Sequence, residues 1–487
     1  MSASTLTRAE RRAAKQAHPD HVGALKTFGW SSRGLSLAAN FIVLGYFTLY
    51  ATDTLGLSAS LVGTLLMVSK IFDGFTDLLA GYVVDRTRTR WGRARPYEWA
   101  ILGVWLCNWL LFSVPDLGTV GKAIWIFVTY SFVNSVFSTL CYANQTLYMA
   151  RAFNSRGAYA KLNAAAGVII TIGAMVLSIA LPMALAWAGK DPGRWSNLML
   201  LIAIPMVVIG LGRFFFVKEI YETEATDEKI RWSDIKTVMG NNRWIWMLAG
   251  LGLLVNIPIN TGAGGYYFRY IVGDLGLLSI VLFVGILALP AVLFIPRMMR
   301  RVTLTRLIMI GQGFAIVGAI IATIAGDSIP LLAAAALVGG IGVLPVSFMV
   351  GVLIIDAATY NEWRGNRRLE STLSSINGFA TKMGQGVALA GAGLFLGAFG
   401  YDGTAETQSD SALFAIHALY TWIPGLIALA ALILLSFYKL DDMLPQIHAD
   451  LEARGSHDEP AEPLVPEAAK ADAVVTLADE LEEDDKR

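Results

Sequence analysis

The chain has 487 residues, 55% of them hydrophobic and 16% charged, where a soluble protein carries about a quarter charged residues. Lys plus Arg and Asp plus Glu number 38 each, so the net charge is zero and the basic field of a nucleic-acid binder is missing. Two cysteines, Cys107 and Cys141, and five scattered histidines exclude a disulfide framework, a four-cysteine metal centre and an H-E-x-x-H site. No nucleophile–base pair is visible, so an enzyme is not expected.

Residues 1–30 form a polar, basic leader (Arg8, Arg11, Arg12, Lys15, Lys26) without the apolar core of a signal peptide. Apolar runs of roughly 20 residues, the length that crosses a ~30 Å hydrocarbon core, then recur near 31–52, 59–84, 98–115, 122–149, 162–188, 195–217, 244–271, 275–296, 304–326, 329–356, 371–400 and 412–438. Barrel strands alternate and span only about ten residues, so the expectation is an all-α membrane protein of twelve helices. The hydrophilic stretch 218–243 divides it into two six-helix bundles, 31–217 and 244–440, the parallel repeat of a two-bundle transporter. Basic loops follow the second span (Arg86, Arg88, Arg90, Arg93, Arg95), the eighth (Arg297, Arg300, Arg301, Arg306) and the tenth (Arg364, Arg367, Arg368). Twelve spans with both termini cytoplasmic put all of them on one side. The opposite loops are mostly acidic or neutral (Asp53, Asp116, Asp274, Asp327, Asp402), and residues 441–487 read as a disordered, acidic cytoplasmic tail.

Charges at mid-membrane cost several kcal/mol and need a partner or a task. Four lie well inside spans: Lys70, Asp73 and Asp77 on the second and Lys382 on the eleventh. Asp73 and Asp77 are one helical turn apart and share a face. Two facing carboxylates make a hard-oxygen site for Na+, or a proton site when one acid raises the pKa of the other, and Thr76 offers a hydroxyl nearby. Asp73 and Lys382 lie equally far from the expected cytoplasmic ends of their spans, roughly 16 Å deep at 1.5 Å per residue, so a pairing across the halves is expected.

Neutral polar residues inside spans outline a cavity suited to a hydroxyl-rich solute: Asn144 and Gln145 on the fourth span, Asn256 and Asn260 on the seventh, Asn377 on the eleventh. Such groups also hold helices together. Gly81, Asp85, Arg86 and Arg90, followed by Gly92 and Arg93, suit a tight turn that works as a conformational latch rather than as chemistry.

The run from Lys70 through Asp73, Asp77, Gly81, Asp85, Arg90 and Gly92 to Pro96 resembles the glycoside–pentoside–hexuronide:cation symporters of the major facilitator superfamily, of which the melibiose permease is the best-known member. Further matches are Thr52-Asp53-Thr-Leu-Gly56-Leu-Ser58, Asp356 to Glu362, Glu370-Ser371 and Lys382; the leader and the tail after about 445 are not covered. The resemblance implies alternating access, a cation site of Asp73 and Asp77 with Thr76 and Ser138 nearby and Lys382 beside it, and gating by Asp356, Glu362 and Arg368. It departs at the sugar site. The positions that grip galactosyl hydroxyls in the melibiose permease are Leu37 (Asn40 is one turn on) and Cys141 here, the tryptophan position is Gln145, and the arginine position is Lys161. A different polar site from Asn40, Asn144, Gln145 and Lys161 is implied. The expectation is a monomeric symporter of the inner membrane, in contact with the lipid bilayer, that moves a sugar, glycoside or uronide with Na+ or H+ and uses no other cofactor. The alternatives are a transporter of an amphipathic lipid-like solute and a non-transporting membrane sensor.

Overall fold

Every regular segment of the computed structural model, which describes residues 23–152, 156–220, 240, 242–366 and 368–453, is helical apart from one isolated bridge between Thr89 and Gly92. The helices are α1 (Ala24–Leu44), α2 (Ala59–Arg86), α3 (Ala100–Leu111), α4 (Thr119–Ser131), α5 (Gln145–Ala152), α6 (Arg156–Ala188), α7 (Pro192–Gly210), α8 (Gly212–Phe216), α9 (Arg243–Asn260), α10 (Ala263–Tyr270), α11 (Leu278–Ile286), α12 (Leu304–Ala325), α13 (Ile329–Trp363), α14 (Glu370–Ala398), α15 (Asp410–Tyr420), α16 (Trp422–Ser436) and α17 (Leu440–Ala453). Each of the twelve apolar runs falls on one of these helices or on a consecutive pair. Among the described residues, nine stretches are long and apolar enough to cross a membrane. The three expected spans outside those nine are α2 and α14, which hold the interior charges, and the short α3 with its 3-10 lead-in Arg95–Trp99. Large apolar side chains such as Val120, Leu201, Val208, Ile324 and Phe437 stand exposed, the surface that acyl chains rather than water would cover.

Local chemistry sets the starts and breaks. Asp191 caps α7, accepting from the Gly193 and Arg194 backbone N–H groups at 2.8 and 3.2 Å, with Pro192 in the first turn. Gly262, at φ +67°, separates α9 from α10 in the left-handed region that glycine enters without penalty. Two stretches widen to π geometry: Tyr50–Thr54 beyond α1 and Phe132–Ser138 beyond α4. Such insertions gather at functional sites, and both recur below.

The chain forms two compact units. One comprises Met1–Glu228, Ile257–Phe283 and Lys382–Tyr420, the other Lys229–Asn256, Val284–Thr381 and Thr421–Arg487. In the first, α2 and the 382–398 part of α14 touch through backbone: a Cβ at Gly63 would lie 2.7 Å from the Leu389 carbonyl, and one at Gly393 only 2.3 Å from that of Ala59. Gly386 faces the Lys70 stem, and Gly397 faces Ser60. This glycine seam fixes the separation of the two charged helices.

The second unit has its core at Trp244, Leu248, Leu353, Ala357, Leu373 and Leu435. The tail departs from expectation here, because its first part is the ordered helix α17, which buries Leu440 and Ile447 in that core. Asp441 accepts from the Thr305 backbone N–H at 2.7 Å, and Trp363 donates to Asp450 at 2.8 Å. Leu440, Leu444, Ile447 and Leu451 recur at helical spacing, a periodicity that the polar average of the segment conceals. Residues 454–487 lie outside the described residues, as do 1–22 and most of the central loop.

The seam yields a test. Gly393→Ala should destabilise the protein by about 1–3 kcal/mol through overpacking against backbone, whereas Gly391→Ala, where an added Cβ meets nothing within 4 Å, should be neutral. Thermal melting in detergent separates the two; equal melting of both variants would refute close packing at the seam.

Candidate functional site

Asp73 is 3% exposed on α2 and is held from three sides. Lys70 Nζ lies 3.8 Å from its carboxylate, Lys382 Nζ lies 3.3 Å away, and the Thr139 hydroxyl donates to it at 3.2 Å. Helix spacing supplies Lys70, the glycine seam brings in Lys382, and the π stretch before Thr139 supplies the third contact. Ser69 meets Ser131 at 2.9 Å and Ser135 donates to the Ser69 carbonyl at 3.4 Å, so small hydroxyl residues seat α2 against this stretch. Lys70 also donates to Asn134 at 3.5 Å. Ser138 ends the π stretch with its hydroxyl oxygen buried and without a hydrogen bond, and so can ligate a cation. Thr76 points its hydroxyl at the Asp73 carbonyl, 3.0 Å away. Asp77, Gly81, Asp85 and Arg86 lie on α2 and Lys161 on α6, but their side-chain surroundings fall outside the described residues.

A second cluster is built on three buried charges that the span reading passes over. Arg33 donates to Glu98 at 2.9 Å, and Arg213 Nε lies 3.8 Å from the same carboxylate oxygen; none of the three exceeds 3% exposure. Arg33 also donates to the side-chain oxygens of Asn144 and Gln145, and Arg213 Nη1 reaches the Gln145 oxygen at 2.7 Å. The Arg213 guanidinium lies over the Trp30 ring at 3.5 Å, a cation–π contact. Beside this cluster is a cavity of about 670 Å³ lined by Trp30, Arg33, Tyr142, Gln145, Asn163 and Arg213, with apolar wall from Leu37, Phe41 and Ile170. Gln145 alone of the expected cavity residues lines it. Asn144 is buried behind it, donating to the Ala94 carbonyl at 3.1 Å; Cys141 is buried; and Asn40 accepts from Asn108 at 2.6 Å. In the second unit, Asn256 donates to the Gly252 carbonyl at 2.8 Å, and the Asn377 oxygen faces Gly252. Asn260 is half-buried at the end of α9.

The third cluster surrounds Asp53, 4% exposed on the π stretch beyond α1. Tyr270 donates to it at 2.6 Å, Thr52 at 2.8 Å, and Arg269 Nε stands 3.2 Å away. Tyr401 donates to its other oxygen. Burial and the adjacent Asp53 charge push the Tyr401 phenol well above its ordinary pKa, so it remains a donor. The sequence reading counts Asp53 only as an acidic loop residue.

At the opposite end of α2, Thr89 and Gly92 close a tight turn, with backbone bonds of 3.2 and 3.1 Å. Glu219 sits in that turn, accepting from the backbone N–H groups of Arg93, Ala94 and Arg95 at 2.7–3.0 Å and from Arg151 Nε at 2.8 Å. Gly92, at φ +117°, admits it, since a Cβ would lie 2.4 Å from a Glu219 oxygen. Arg90 is exposed over Trp91. Arg368 bridges Glu362 at 3.1 Å and Glu370 at 2.9 Å, and Asp356 is half-buried on α13.

The sequence profile described as MFS/sugar transport protein matches residues 35–442. The isoprimeverose transporter of Lactiplantibacillus pentosus is 30% identical over 91% of this chain and 94% of its own length. The putative glycoside/cation symporter YagG of Escherichia coli is 27% identical over 85% and 90%. Among solved structures, an inward-facing, unoccupied bacterial homologue of the human lysosomal transporter Spinster superposes with a TM-score of 0.58 at 13% identity, covering 88% of this chain and 99% of that one.

The Asp53 cluster is open to measurement. Asp53→Asn leaves Arg269 beside a neutral group and should cost about 3–5 kcal/mol of stability, while Tyr401→Phe, which removes one hydrogen bond, should cost about 1–2 kcal/mol. Denaturation in detergent would rank the variants; an Asp53→Asn protein as stable as the parent contradicts the cluster's role.

Proposed function

We infer the function from a premise the comparisons supply: this chain belongs to the MFS/sugar transport protein family, the glycoside–pentoside–hexuronide symporters that its motifs resemble. It is accordingly a multi-pass membrane transporter and not an enzyme. We propose a sugar or glycoside as solute, Na+ or H+ as coupling ion, and the inner membrane as location, with the basic loops and both termini cytoplasmic.

The observation that carries cation coupling is the Asp73–Lys382 contact at 3.3 Å, between a buried carboxylate and an ammonium from the other half of the sequence. A cation that takes Asp73 must displace an ammonium, because one carboxylate cannot neutralise Lys70, Lys382 and an incoming charge together. Asp77 supplies the second negative charge, and Ser138 and Thr139 supply neutral oxygens. Freed from Asp73, Lys382 loosens the link between α14 and α2, so occupancy of the ion site bears on how the halves separate. Each charge that crosses 100 mV contributes about 2.3 kcal/mol, enough for one ion to drive a useful solute gradient. The Asp53 cluster, at the far end of α1, ties the first half of the chain to α10 and the segment after α14, and acts as the gate on the side opposite the basic loops.

In vesicles with an imposed ion gradient, Asp73→Asn and Asp77→Asn should each abolish accumulation of a sugar scored in a panel with and without Na+, while exchange of that sugar across the membrane persists. Undiminished accumulation in both variants would end the coupling proposal. Lys382→Ala should shift the ion concentration for half-maximal uptake by more than tenfold at unchanged protein abundance; simple loss of the protein from the membrane would instead mark Lys382 as a structural ion-pair partner.

A further inference from the structure

The cavity beside Gln145 is built to receive an acceptor group, and its charge favours an acidic one. A guanidinium only donates. Arg33 and Arg213 both donate to the Gln145 side-chain oxygen, so the amide cannot turn over, and its NH2 group is directed away from them. Gln145, Arg33 and Arg213 all line the cavity. Two guanidiniums here share one carboxylate, Glu98, whose Oε1 is 2.9 Å from Arg33 but 3.8 Å from Arg213. Arg213 Nε and Nη2 are buried without a hydrogen bond. The neighbouring ions do not restore balance. Glu219 is committed to Arg151 and the turn at 93–95, and Arg95 donates to the Phe214 carbonyl. One positive charge is left over in a site shielded from water, where an unpaired charge is expensive.

We propose that this cavity binds a carboxylate-bearing solute: the Gln145 NH2 donates to the acid group, Arg33 and Arg213 position Gln145, and their surplus charge selects the anion. The inference rests on the sugar-solute reading and narrows it to an acidic sugar over its neutral counterpart. Trp30 and Tyr142 offer ring surface to the sugar body, and the apolar wall accommodates an aglycone.

Gln145→Glu is the informative variant. It keeps the shape, still accepts from both arginines, cancels the surplus charge and removes the donor. Purified full-length protein is titrated with D-glucuronate, D-glucose and acetate, and the melting temperature of each unliganded protein is recorded. The expected result is tighter binding of glucuronate than of glucose by more than tenfold in the parent. The variant should lose that preference while melting at least as high as the parent, which separates lost recognition from lost folding. Equal affinity for the two sugars in the parent, or an unchanged preference in the variant, overturns the proposal while leaving a sugar transporter in place. Failure of both sugars to bind counts against the sugar-solute reading itself. Acetate that competes as well as glucuronate supports an anion site but assigns it to a free carboxylate.

Discussion

The structure depends on one electrostatic constraint: Asp73 cannot remain charged inside an apolar bundle unless Lys382 is brought to it. Coulomb attraction at such a distance is strong only where water is scarce, and the desolvation cost of the pair is large for the same reason. Packing must therefore hold the geometry. The glycines of α2 and α14 do so by letting two backbones touch, which aligns residues more than 300 positions apart in sequence. The pair is close to balance between being kept and being released, which is the condition for an ion to exchange with it.

The same logic operates at three depths of the molecule. Asp53 collects two phenols, a hydroxyl and a guanidinium; Asp73 collects two ammoniums and a hydroxyl; Glu219 collects three backbone N–H groups and a guanidinium. Each acid is satisfied by donors from distant positions, so each is a clasp between segments rather than a local feature. In an apolar solvent, where burial of side chains drives little, such clasps are the specific part of the packing.

The sequence made some of this legible and hid the rest for identifiable reasons. Length and hydropathy place the helices, and the depth match of Asp73 and Lys382 follows from counting residues. Arg33, Glu98 and Arg213 escape because they stand close to span ends, where a charge reads as belonging to the loop; only their three-dimensional meeting shows them buried. Asp53 escapes for the same reason. Neither π stretch has a compositional mark, although one carries Asp53 and the other Ser138. α17 escapes because its four apolar residues are diluted among acids. The orientation of Gln145 is a property of its neighbours and cannot be read from the residue.

The long reach of the Asp53 contacts has a consequence for biogenesis. Its partner Tyr401 lies 348 residues later in the chain. At ~5–20 residues per second, that partner leaves the ribosome roughly 17–70 s after Asp53 does. Asp73 has Lys70 within one helical turn throughout that interval, whereas Asp53 has only the Thr52 hydroxyl from its own helix. The nascent first helix must therefore wait with a carboxylate lacking its cationic and phenolic partners, lodged where water or the insertion machinery can solvate it. Closure around Asp53 comes after nearly all the spans have been made, so the contact marks the completion of assembly as well as the far end of the transport path.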